Sequence, residues 1–200
     1  FHRQLSENLV NYASSIEQFV QDPNVSQYPP FHNAPKSGFG KIVYAGGEDF
    51  LGFVNLFHAL PALQNMRENF STEVNNGLKN LLKPNEGPIT FSAGVLFAHN
   101  KTPLSEVLKQ VRNTEQEAKK VKGKNAIAIA ILKHSGELSK AVFKWHNNDS
   151  STNQHWITQT LQLLIEKLAL AQYSNTFIRN LQGEFSKLGT RVGDYKDLDP

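Results

Sequence analysis

Lys41-Ile42-Val43-Tyr44-Ala45-Gly46-Gly47-Glu48-Asp49-Phe50-Leu51-Gly52-Phe53-Val54 reads as two apolar β runs joined by a Gly-Gly turn that carries two acidic residues. Val43, Phe50 and Phe53 favour a pleated strand, and paired glycines permit the positive φ angles of a tight hairpin. Two adjacent carboxylates at such a tip, beside backbone without Cβ atoms, suit a divalent metal with a phosphate next to it. Gly, Glu and Asp are also ordinary turn residues, and spacing alone favours that plainer reading.

Outward from the hairpin, hydrophobic periodicity sets the other elements. Leu5, Leu9, Tyr12, Ile16, Phe19 and Val20 form one stripe and predict a helix over 4–21, stopped by Asp22-Pro23. A Pro- and Asn-rich loop fills 22–38. His58 to Leu82 is a second predicted helix, with Gly77 a weak point in it. Residues 89–98 read as a strand in which Gly94 marks the close approach of another backbone or a ligand. Thr102 as N-cap and Pro103 at the first position then open a helix to Lys120. In 125–132, isoleucine at every second position is a strong strand signal. The polar stretch 133–151 reads as irregular and places a module boundary after residue 134. Beyond it, 157–173 and 176–188 read as helices, and 189–200 as a fraying tail.

Helix, hairpin, helix, strand, helix, strand is an α+β order of the ferredoxin-like kind, with the first, central strand of that fold missing. The expected organisation is a palm-like domain over 1–134 and a helical module over 135–200. Composition agrees with a globular chain: 39% hydrophobic, 20% charged, 200 residues. The absence of cysteine excludes a disulfide framework and a cysteine zinc site. No apolar run is long enough to span a bilayer and no signal peptide opens the sequence, so the expectation is a cytoplasmic protein without a membrane partner. A formal charge of +3 permits an anionic partner without demanding one. Phe1 stands where a translated chain has methionine, and Met66 is the single methionine, so a longer or processed parent polypeptide is expected.

Four ordered blocks carry a family resemblance. Tyr44-Ala45-Gly46-Gly47-Glu48-Asp49 resembles a YAGGDD tip, with glutamate for the first aspartate. Phe91-Ser92-Ala93-Gly94-Val95 and then Ala98-His99-Asn100-Lys101-Thr102-Pro103-Leu104 resemble an SAG strand and an AHxKxPL helix start. Ala118-Lys119-Lys120 with Gly123-Lys124-Asn125-Ala126 is similar to an AK…GRNA helix end and last strand. Ser135-Gly136-Glu137 and Thr176-Phe177-Ile178 echo weaker patterns. Together these resemble the cyclase palm of the large subunit of type III CRISPR effector complexes, in its III-B branch.

That resemblance implies a nucleotidyltransferase. ATP would be the substrate, Mg²⁺ or Mn²⁺ the cofactor, and cyclic oligoadenylates the product when target RNA is bound. Guide RNA, target RNA and other subunits would be partners. It implies Glu48 and Asp49 as catalytic metal ligands, Gly46 and Gly47 as backbone open to nucleotide, Ser92 as a base or ribose contact, and Lys119 or Lys120 as a phosphate cation. It also implies a further carboxylate on the absent central strand, expected upstream. Two other functions stay open: a weakened palm serving as a scaffold for subunits and RNA, which Glu48 favours, and a diguanylate cyclase, which the AHNKTPL block argues against.

Plainer roles stand beside several of these. Charge runs at helix C-termini are usually solvated, which covers Lys119, Lys120, Lys122 and Lys124. His99 has no second ligand at metal spacing and reads as structural or solvated. Trp145 and Trp156 read as packing anchors.

Overall fold

A computed structural model describes residues 1–21, 38–47, 49–82, 87–147, 155–174, 176–180 and 183. Contacts divide the chain into two compact units, Phe1–Gln159 and Thr160–Pro200.

The first unit opens with α1, His2–Gln21, whose Tyr12, Ile16, Phe19 and Val20 are buried along the stripe the sequence predicts. β1, Gly40–Gly46, and β2, Asp49–Val54, pair antiparallel with a bulge between Ile42 and Tyr44. A short 3₁₀ turn, Leu56–His58, leads into α2, Ala59–Asn69. The helix predicted to run on to Leu82 instead widens into a π-helical segment, Phe70–Asn75, before the single turn α3, Asn76–Leu78. Two nearby carbonyls receive side chains from α1: Tyr12 Oη donates to Met66 O at 2.8 Å and Asn8 Nδ2 to Val74 O at 3.5 Å. A Cβ at Gly77 would strike that Asn8 amide, so its small size admits α1 rather than merely weakening the helix.

β3, Ala93–Ala98, is shorter than predicted. The segment before it is pinned by side chains: Asn75 donates to Ile89 O and accepts from Ile89 N at 3.0 and 2.9 Å, and Trp145 Nε1 donates to Phe91 O at 2.8 Å. α4, Leu104–Lys120, begins one residue later than expected. Pro103, extended at ψ 132°, occupies the cap position and its carbonyl takes the first helical bonds, from Glu106 and Val107 N. Thr102 therefore lies outside the helix.

β4, Ala126–Leu132, runs parallel to β3 through the α4 crossover. The stretch read as irregular folds back as β5, Leu138–Lys144, paired antiparallel along all of β4. Its LSKAVFK sequence lies at a sheet edge with most side chains exposed, which hid the strand. Trp145, fully buried, follows it into the core, so the first unit continues well past residue 134. A small ladder joins β6, His146–Asn147, to β7, His155–Trp156, ahead of α5, Ile157–Ala169.

The alternation in β4 explains the layers. Ile127 and Ile129 join the main core with α1, α2 and the π-helical segment, while Ala126 and Ala128 meet Ala118 of α4 on the other face. A fully buried isoleucine such as Ile127 contributes roughly 1.5–3 kcal/mol. Small residues on the opposite face let α4 lie close. Ladders join β1 to β2, β3 to β4 and β4 to β5, and among the described residues none joins β2 to β3. Side chains of both sheets share the main core. This is the α+β palm arrangement, and among the described residues no central strand bridges the two ladders.

α5 is closed just past Ala169 by Ala171 at φ 53°, with Ala171 N and Gln172 N donating to Leu168 O and Lys167 O. Residues 176–180 are helical; the rest of the helix expected to 188 and the 22–37 loop fall outside the described residues. Among the described residues no helix is long and apolar enough to cross a membrane.

Candidate nucleotide site at the hairpin tip

Gly46 pairs with Asp49 at the end of the hairpin. Gly47 has φ 59°, and a Cβ placed there would meet nothing within 4 Å. Backbone is thus open to an approaching group at Gly47. At Gly46 the adjoining space is taken by the Tyr44 phenol, 2.9 Å from where a Cβ would stand. Asp49 is exposed. Glu48 lies outside the described residues.

Phe50, next to Asp49, turns into the core and stacks on Phe91 with centroids 6.1 Å apart and planes at 18°. This contact ties the tip to the entry of β3. Alternation then puts the neighbours Asp49 and Ser92 away from the main core. Ser92 Oγ is enclosed and, among the described residues, has no hydrogen-bond partner, a costly state for a hydroxyl unless something completes it. Gly94, two residues on, lies under α4, where a Cβ would collide with the Glu115 backbone. Lys119 is one helical turn beyond Glu115, so the end of α4 returns toward the Ser92 end of β3.

The lysines are engaged. Lys119 Nζ is 2.5 Å from Glu115 Oε1, and Lys120 Nζ is 3.1 Å from Glu117 Oε1. The Lys120 bond, then the charge of Lys140 at 3.4 Å, holds the Glu117 carboxyl below its usual range. Both pairs are partly solvated, so their carboxylates hold the lysines only modestly. After α4 the chain turns through Gly123, Lys124 and Asn125 at φ 73°, 51° and 52°. Lys144 Nζ closes this loop by donating to Lys122 O at 2.5 Å and Lys124 O at 3.0 Å.

Two features escaped the sequence. His134 stacks on His99, centroids 5.3 Å apart and planes at 7°, although nothing in the spacing pairs them. His99 Nδ1 also accepts from Lys101 N at 3.2 Å. Among the described residues no three His, Asp or Glu gather as a metal group. Arg67 of α2, only 9% exposed, donates through Nε to Asn125 Oδ1 at 3.1 Å, a link across 58 residues. The two tryptophans do pack: Trp145 in the core and Trp156 against it.

Comparison with known proteins agrees with this arrangement. A Pyrococcus furiosus protein, CRISPR system Cmr subunit Cmr2, is 35% identical over 107 residues, which are 53% of this chain and 12% of that relative. The chain therefore spans a small part of the length of the relative it matches. The pattern of the family described as Cas10/Cmr2, second palm domain, matches residues 1–128. With more than half of its length matched, this chain belongs to the Cas10/Cmr2 second palm domain family.

Proposed function

We propose that the chain is the palm of a type III CRISPR large subunit that joins ATP into cyclic oligoadenylates in a cytoplasmic complex with other subunits, guide RNA and target RNA. The observation that supports this reading is the exposed Asp49 next to the open backbone of Gly47, with the following Phe50 stacked on Phe91 beside Ser92. These groups fit a nucleotide with its metal: a carboxylate, unobstructed backbone, an incomplete hydroxyl and modestly held lysines. Mg²⁺ or Mn²⁺ held by Asp49 and Glu48 would supply Lewis acidity to the attacking hydroxyl and the phosphates. In the reaction a 3′-hydroxyl loses its proton to solvent as its oxygen bonds to the α-phosphorus of a second ATP, the bond from that phosphorus to the α–β bridging oxygen breaks, and pyrophosphate leaves with the bond's electron pair. Lys119 or Lys120 offsets charge on the phosphates. Ser92 donates to base or ribose, and Gly47 leaves room for the triphosphate.

A second reading, a scaffold palm, is favoured by Glu48, which stands where the resembled tip has its first aspartate and sets the carboxylate one methylene further from the backbone. Catalysis requires Glu48 and the further carboxylate implied on the central strand. The full-length complex with target RNA, Mn²⁺ and radiolabelled ATP or GTP separates the alternatives. Oligoadenylate from ATP supports the enzyme, no product with either nucleotide supports the scaffold, and product from GTP alone supports a diguanylate cyclase.

A further inference from the structure

Arg67 presents a chemical imbalance away from the hairpin tip. Its guanidinium has five N–H donors. Among the described residues one is used, on the neutral Asn125 amide, and no carboxylate pairs with it. Burial accordingly pushes its pKa below the usual arginine value, opposed by Tyr12. Arg67 keeps 9% of its surface exposed, which leaves the guanidinium a narrow access to solvent. Buried charges are normally paired, and this one is not.

Its surroundings repeat the pattern. His146, on β6, lies within reach of the Arg67 charge, and among the described residues its enclosed Nδ1 has no partner. Desolvation first, and Arg67 second, hold the His146 ring below its ordinary pKa, while Glu68 acts in the opposite direction. Trp156 of β7 covers the ring at 4.0 Å. The Glu68 carboxylate accepts from Gln64 Nε2 at 2.9 Å and makes no ion pair with Arg67. Asn125 and Lys124 both hold left-handed φ angles, unfavourable for side-chain-bearing residues. Together these are an unpaired cation, a second incomplete donor or acceptor, and a strained support.

We propose that Arg67, seated on Asn125 and flanked by His146, is a binding site for a tetrahedral oxyanion, phosphate-like in chemistry and either free or borne by a nucleotide. The guanidinium fork takes two oxygens in its plane. His146, once protonated, contributes a third donor, and Glu68 opposes binding. The site lies on the main-core side of β4, whereas the α4 lysines lie on the other, so it stands independently of the proposed catalysis.

Calorimetric titration of the full-length protein with sulfate tests it, because sulfate keeps its charge across the pH range used. Wild type is expected to bind more tightly at pH 5.5 than at pH 8, and His146→Phe to lose that difference. Arg67→Gln weakens binding about tenfold or more, and Arg67→Lys keeps part of it. Glu68→Gln strengthens binding, a gain that misfolding does not produce. Competition by inorganic phosphate identifies the free ion as an occupant, and competition by ATP at equal charge identifies a nucleotide-borne phosphate. Absence of sulfate binding in wild type, or equal binding in Arg67→Gln with its melting transition intact, overturns the proposal.

Discussion

At the scale of single residues, burial decides which charges matter. Glu73, in the π-helical segment, accepts from Ser15 Oγ at 3.0 Å. Desolvation raises its carboxyl pKa above 4.5, against the lowering effect of that bond. The folded state thus holds its proton to higher pH than the unfolded chain does. Stability falls as pH rises from the unfolded value through the folded one, and stays lower above it. Glu73→Gln removes this cost and retains an acceptor for Ser15. Its melting temperature is expected to exceed wild type at pH 7, with the gap closing below about pH 4; a lower value at pH 7 contradicts the account. Asp49 and Ser92 stand out in the sequence as candidates because their neighbours are distinctive. Arg67 does not, since its partner Asn125 is 58 positions away and becomes visible only when α2 crosses the start of β4.

At the scale of elements, two glycines separate close packing from mere tolerance. A Cβ at Gly94 meets the backbone of Glu115, which moves only if α4 moves. Gly94→Ala should cost about 1–3 kcal/mol, the usual range for overpacking. At Gly77 the obstacle is the Asn8 amide at the end of a flexible side chain, and alanine recovers about 1 kcal/mol of helix propensity. Gly77→Ala should stay within about 1 kcal/mol of wild type. Urea denaturation midpoints check both; equal effects would contradict this view of α4. Elements with a buried face and a clear period were legible: the α1 stripe, the Ala/Ile alternation of β4, the hairpin. β5 was not, because an edge strand with alternate lysines and a serine has little to bury and looks like a linker. Nor was the π-helical segment, because its widening depends on Asn8 and Tyr12 arriving from α1.

At the scale of the whole molecule, the ordered sequence blocks converge. Phe50 on Phe91 ties the tip to the β3 entry, and Gly94 under Glu115 seats α4 on the same strand. The family and its α+β palm were readable from those blocks. The boundary between units was less so, because the compact first unit runs through β5 and Trp145 to Gln159. The most direct measurement is oligoadenylate synthesis by the full-length complex carrying Asp49→Asn, with target RNA binding quantified in the same preparation. Asp49 is exposed, so the substitution should change stability by no more than about 0.5 kcal/mol. The expected result is wild-type RNA binding with oligoadenylate product lost by a factor of about 100 or more, roughly the loss of 3 kcal/mol of transition-state stabilisation. Undiminished product from Asp49→Asn would contradict the account.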